Sequence, residues 1–269
     1  LYQHVVDTWP GAEHALWSRM GLAISNIRLG DYEAAQTATG ELFDDFFEDK
    51  RMSVAACLTA DEYRKAGWHE EALPLYKYVV ANWPGTEHAM WSQMGLAVSS
   101  AAVRNNDAVV AAVDELSAGF STQPRFPLAV YEIGKLYYNQ AFVKESEGQA
   151  AQSRTYLRKA IDEWERVITE LPESLATAWA YDFAADSYRR LGQYDKAITY
   201  YQAVVDNWPD YEYAWCALFR IGRCYDAKRK SGLMSRSAAD LNTRIIYERL
   251  LEDYPDCKMA GYVKRWLSR

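Results

Sequence analysis

The chain has 269 residues, a formal net charge of −7, and a composition that is 25% charged and 14% aromatic. That acidic balance disfavours a nucleic-acid backbone as partner, and no stretch is apolar over the roughly eighteen residues that a membrane span needs. No two glycines stand closer than nine residues apart, which excludes the clustered glycines of dinucleotide and P-loop phosphate sites.

In chain order, residues 1–25 (LYQHVVDTWPGAEHALWSRMGLAIS) return at 75–99 (LYKYVVANWPGTEHAMWSQMGLAVS), an offset of 74. A repeat this close marks an array of similar units. A bulky residue followed by proline punctuates the array at Trp9-Pro10, Trp83-Pro84, Leu171-Pro172, Trp208-Pro209 and Tyr254-Pro255, and the spacing from Pro172 to Pro209 is 37. One unit of 37 residues accounts for the chain once two units carry insertions.

Residues 1–10 read as the second helix of a partial unit, with no initiator Met before them, and so as the start of a fragment. Full units follow at 11–47, 48–84 and 85–121, the last weak in its second helix. The unit at 122–172 carries an insertion near 140–156 that is helix-friendly and is expected to lengthen its hairpin. The unit at 173–209 is the clearest. Trp179, Ala184, Ala185 and Tyr188 fall at helical spacing, Leu191-Gly192-Gln193-Tyr194 breaks the pattern, and a second run through Ala197, Ile198, Tyr201, Val204 and Val205 ends at Trp208-Pro209. That is helix, tight turn, helix, proline stop. The unit at 210–255 holds a second insertion, 228–238, expected as a mobile loop, with Lys-Arg-Lys at 228–230 read as a solvated loop or, alternatively, as a docking patch for an acidic partner or phosphate. Residues 256–269 form a capping helix with basic residues on its polar side.

Ala185, Tyr188, Gly192, Tyr194, Ala197, Tyr201 and Pro209 carry a resemblance to the tetratricopeptide repeat family. Ala60, Tyr63, Gly67, Ala72, Tyr76 and Pro84 repeat it. The 37-residue length, with Tyr-Pro-Asp-x-x-x-Ala at 254–260, resembles units of bacterial envelope proteins, which implies a periplasmic or envelope setting. The resemblance implies an all-α, right-handed α-solenoid running as a single array over 1–269. It also implies that Trp9, Trp83 and Trp208 wedge between units, that Tyr63, Tyr188 and Tyr225 pack between paired helices, and that the first helices line a concave surface where peptides bind. Transferring positions unit by unit puts Trp17, Met20, Trp91, Met94, Tyr131, Tyr138 and Trp179 toward that surface, followed by Asp182, Asp186, Arg189 and Arg190. The tryptophans have an alternative use in packing between units.

Catalytic signals are absent. His4, His14, His69 and His88 include no pair at four-residue spacing, so no helical zinc pair exists, and the four cysteines include no CxxC. No cofactor or metal is indicated. The expected function is a non-catalytic scaffold that binds a protein or peptide partner. Two other readings stay open: a helical regulatory region of a larger enzyme, and a glycan-binding envelope solenoid.

Overall fold

Apolar spacing at the helical period produces helices throughout. A computed structural model describes residues 1–10 and 12–268, and among these it contains fourteen α-helices and no strand. Gly11 and Arg269, which belong to the first full unit and the capping segment, lie outside the described residues. Packing divides the chain into two compact units, Leu1–Ala129 and the residues from Val130 on.

The first unit holds α1 (Tyr2–Thr8), α2 (Ala15–Leu29), α3 (Tyr32–Phe46), α4 (Met52–Lys65), α5 (His69–Asn82), α6 (Glu87–Ala102) and α7 (Asn106–Phe120). Neighbours in sequence pack on one another: α2 on α3, α4 on α5, α5 on α6, and α6 on α7. The first helices also touch across hairpins, α2 on α4 and α4 on α6, so they share one layer. Leu16, Leu42, Met52, Ala55 and Val79 form one core cluster, and Ile27, Tyr63, Ala72 and Tyr76 another.

Helix α8 (Phe126–Ser146) begins at the end of the first unit and runs on. The second unit then holds α9 (Ala150–Thr169), α10 (Leu175–Arg190), α11 (Tyr194–Asn207), α12 (Ala214–Lys230), α13 (Arg236–Asp253) and α14 (Ala260–Leu267). Its core joins Tyr188, Tyr201, Val204, Leu218, Ile221, Tyr247, Leu250 and Val263. Among the described residues no helix is long and apolar enough to cross a membrane.

Helix starts follow from side chains that accept the free N–H groups of the first turn. Asp31 accepts from Ala34 at 3.1 Å, Thr86 from Ala89 at 3.2 Å and Ser235 from Ala238 at 3.3 Å. Hairpin turns need one residue in the left-handed region. Gly30 (φ 75°) and Gly67 (φ 84°) supply it, 37 residues apart. The next place in that series belongs to Arg104, at φ 61°. A side chain there crowds the following carbonyl, a cost that glycine avoids.

Aromatic rings from second helices fill slots left by glycines on first helices. A Cβ at Gly95 would stand 2.3 Å from the Tyr76 ring, one at Gly134 2.3 Å from Trp164, and one at Gly222 2.4 Å from Tyr247. Trp164 and Tyr76 are fully buried, each contributing about 2 kcal/mol of apolar burial.

Three expectations change. Residues 228–238 are not one loop: 228–230 complete α12, 236–238 begin α13, and only 231–235 connect them. Asp226 accounts for this by pairing with Arg229 at 2.6 Å and Lys230 at 2.8 Å along the helix, and basic residues suit a helix C-terminus. Trp9 does not wedge but is 55% exposed. Its mate Trp208 packs on Tyr181 of the preceding helix, with ring centroids 5.5 Å apart, whereas Trp9 meets the His4 ring of its own helix at 5.7 Å. Tyr225 is only half-buried, whereas Tyr63 and Tyr188 are buried. Residues 140–156 do lengthen their hairpin, as the ends of α8 and α9 around a turn with Gly148 at φ 75°.

Two substitutions test these backbone assignments by urea unfolding. Arg104→Gly relieves the left-handed strain and should raise stability by about 1 kcal/mol. Gly95→Ala forces a methyl into the Tyr76 ring and should lower it by about 1–3 kcal/mol. Unchanged midpoints would show that neither position is constrained as described.

Candidate functional site

The densest polar cluster lies in the second unit and grows from one helical turn of α10. Asp186, Arg189 and Arg190 stand three and four residues apart, so their side chains share a face. Asp186 Oδ1 accepts from Arg189 Nε at 3.0 Å and from its terminal nitrogen at 2.6 Å, and Oδ2 accepts from Arg190 Nε at 2.7 Å. Two neighbours complete the shell. The Tyr138 hydroxyl of α8 donates to Oδ2 at 2.5 Å, and the Tyr201 hydroxyl of α11 donates to Oδ1 at 3.3 Å. One turn earlier, Asp182 accepts both of its bonds from Arg220 of α12, at 2.8 and 3.0 Å.

Burial separates the two signs of charge. The carboxylate side chains are 8–9% exposed, whereas Arg189, Arg190 and Arg220 are 30–33% exposed. Two buried anions therefore hold three cations that reach the surface, and the accessible face is positive although the chain is acidic. Ionisation follows the same geometry. Burial pushes the Asp186 carboxyl up, but the Tyr138 hydroxyl and the two arginines outweigh it and hold the group well below the usual range. Asp182 goes the other way, raised by burial that Arg220 only partly offsets. Burial and Asp186 push Tyr138 up to about 12, so its hydroxyl stays a donor at neutral pH.

Aromatic rings flank the cluster. Trp179 and Phe183 lie 5.4 and 5.9 Å from Tyr131, and Phe183 lies 5.6 Å from Tyr138. The Arg190 guanidinium sits 4.2 Å over Phe142 and 5.7 Å over Tyr138, where ring faces attract cations.

The first unit repeats this motif in reduced form. Ala60-Asp61-Glu62-Tyr63-Arg64 matches Ala185-Asp186-Ser187-Tyr188-Arg189 at an offset of 125. Tyr76 donates to Asp61 at 2.6 Å and Arg64 meets Asp61 at 3.2 Å. At that same offset Cys57 and Gly95 stand where Asp182 and Arg220 form the second ion pair. Burial pushes the Cys57 thiol up to about 11, which leaves it an inert filler.

The structure thus brings Tyr138, Asp182, Asp186, Arg189 and Arg190 into one network, with Tyr131 and Trp179 beside it. Tyr131, Asp182 and Asp186 are buried rather than presented, because they anchor neighbouring helices. In the first unit Trp17, Met20 and Trp91 are half-buried against the cluster around Leu16 and Met52, and Met94 is 7% exposed. The Trp91 indole donates to Glu87 at 3.2 Å. The sequence does not single out Arg220, Phe183 or Phe142, and it marks Tyr201 only as a packing residue of the repeat. Arg220 lies 38 residues beyond Asp182, close enough to one repeat that the period pointed near it. Among the described residues no group of His, Cys, Asp or Glu side chains could hold a metal ion.

Paired helices stacked at a 37-residue period define an all-α helical-repeat solenoid, a scaffold type of fold. Residues 132–210 match the family model of the tetratricopeptide repeat. A tetratricopeptide repeat protein from Parabacteroides merdae is similar at 10% identity over 95% of this chain and 100% of its own, with a TM-score of 0.49. Nearly identical TPR-like repeats from Podosopora anserina share 18% identity over 82% of this chain and 99% of theirs, with a TM-score of 0.47. The Cut9-Hcn1 hetero-tetramer of the APC/C matches at 16% identity and a TM-score of 0.46, over 99% of this chain but only 45% of that one. No curated protein matches the chain.

The Asp186 network has a pH signature. Its folded carboxyl lies below the ordinary value of 3.8, so its stabilisation is complete above that value and is lost as pH falls through the depressed one. Asp186→Asn should cost about 3 kcal/mol at pH 7, and the deficit should shrink as the wild type is acidified below pH 4. Urea unfolding across that range checks it; a deficit that stays constant with pH would show that Asp186 gains nothing from its charge.

Proposed function

We propose that this chain is a non-catalytic scaffold that holds a protein partner, receiving an extended acidic segment of it along the groove-forming face of the first helices. One observation carries the reading: the Asp182 and Asp186 side chains are buried, while the arginines paired with them, Arg189 and Arg190 on α10 and Arg220 on α12, keep 30–33% of their side-chain surface exposed. Their orientation is set before any partner arrives, which lowers the ordering cost of binding. Planar guanidinium forks match carboxylates in two-point contact, and charge complementarity sets register and on-rate more than bulk affinity. Half-buried Trp179 and Tyr138 add aromatic contact area beside the charges. In the first unit, Trp17, Met20 and Trp91 offer aromatic and thioether surface without the second ion pair. A sugar ligand would need carboxylates beside exposed rings, and Asp182 and Asp186 are committed to arginines instead.

Selection from a displayed random-peptide library tests this. Acidic peptides with an aromatic or aliphatic anchor should be enriched, and their affinity should fall with added salt. Arg190→Gln and Trp179→Ala, verified as folded by circular dichroism, should each weaken the selected peptides about tenfold. Peptides that bind both variants as tightly as the wild type would move the site off α10, and a library with no enrichment would end the reading.

A further inference from the structure

The second unit holds another concentration of positive charge, away from the α10 network. Helices α12, α13 and α14 frame a pocket of about 610 Å³, within the range of roughly 300–1,000 Å³ typical of small-ligand sites. Five cations line it, Arg223, Arg229, Lys230, Arg236 and Arg244, against two carboxylates, Asp226 and Asp240. Five against two leaves a local surplus of three positive charges in a chain of net charge −7.

Ordinary helix electrostatics explain only part of this. Arg229 and Lys230 sit in the last turn of α12 and share Asp226, as a helix C-terminus favours. Arg236 is different. It opens α13, at the positive end of a helix dipole, where a cation is unfavourable and an anion is favoured. Its nearest carboxylate, Asp240, stands 3.6 Å away on an exposed surface. Arg244 donates to the Leu267 carbonyl at 3.3 Å and meets Glu248 only at 3.8 Å, and surface pairs of this kind contribute little. Arg223 is exposed on α12 and has no carboxylate within ion-pair distance among the described residues. It stands three residues beyond Arg220, the arginine that α10 uses.

Aromatic rings line the same pocket. Tyr247 is buried and meets Trp266 edge-on at 5.2 Å, while Tyr262 leaves 37% of its surface open. All three line the pocket.

We propose that this pocket binds the phosphate group of a small ligand whose flat body rests on Tyr262 and Trp266. Guanidinium forks from α12 and α13 take the phosphate oxygens in charge-assisted bonds, and the start of α13 adds its own attraction for an anion. The pocket has room for a phosphate group together with a flat body of one or two rings. A phosphate gathers its charged oxygens on one atom, where several guanidinium groups can meet them together, whereas a peptide spaces its carboxylates along a strand.

Calorimetric titration of the whole chain with phenyl phosphate, inorganic phosphate and an oligoglutamate peptide tests the proposal, with Trp fluorescence followed in parallel. Phenyl phosphate should saturate one site and bind about tenfold more tightly than inorganic phosphate, because the ring adds apolar contact. Arg223→Gln and Arg244→Gln should each weaken it about tenfold. Both positions are exposed or half-exposed, so the fold should survive, and circular dichroism checks this. Arg190→Gln should leave this binding unchanged, which separates the site from the one on α10. The proposal is overturned if neither phosphate gives saturable binding, if both pocket variants bind phenyl phosphate as the wild type does, or if oligoglutamate occupies the site and phenyl phosphate does not.

Discussion

An amphipathic helical hairpin cannot bury its apolar stripe alone, and the ring-into-glycine contact is how this chain closes one hairpin on another element. Tyr76 of α5 enters the slot above Gly95 of α6, while Trp164 and Tyr247 enter slots above Gly134 and Gly222 within their own hairpins. The first arrangement ties a unit to the next one and the second ties a unit to itself. Both remove a large aromatic surface from water, and both allow helices to approach at a distance that any Cβ would prevent. The left-handed turns and the N-caps are subordinate to this packing: they set where helices begin and end so that ring and slot coincide.

Polar interactions occupy what the rings leave over. The hydroxyl of Tyr76 projects past its slot and finds Asp61, and in the second unit Tyr201 finds Asp186. Where Gly95 stands in one unit, Arg220 stands in the other, and Cys57 is exchanged for Asp182. That paired exchange places an ion pair, Asp182 buried and Arg220 about one-third exposed, where the first unit has a thiol and a glycine. Such a pair adds little net stability against a hydrophobic alternative, but it fixes side-chain direction. Its consequence is a cationic surface above an anionic floor. The basic pocket of α12–α14 arises differently, from a hairpin whose ends are extended by an insertion and whose added turns carry arginine.

Much of the fold was legible in the sequence because a 37-residue period repeats its punctuation. The proline stops, the glycine turns and the apolar spacing of Ala184, Ala185 and Tyr188 each point to the same hairpin. The segment 228–238 reads as a loop because Lys, Arg and Ser resemble loop composition, while the helix-stabilising pairs of Asp226 depend on spacing along α12. Trp9 was misread because repeat equivalence transfers a residue without transferring its neighbour. Arg104 shows the converse: the backbone keeps its left-handed turn where the sequence has lost the glycine.

The candidate site was legible as an inventory. Tyr138, Asp182, Asp186, Arg189 and Arg190 could be placed on first helices from periodicity, and the intrahelical pairs of Asp186 follow from three- and four-residue spacing. Their partners from α11 and α12 could not be named, since Tyr201 and Arg220 reach the cluster only through contacts between helices. The sequence by itself determined the repeat, the helices and the charge carried by each face, because these depend on local spacing and backbone preference. Only the tertiary structure decided which charges are buried and which are presented, because desolvation depends on neighbours that are distant in the chain.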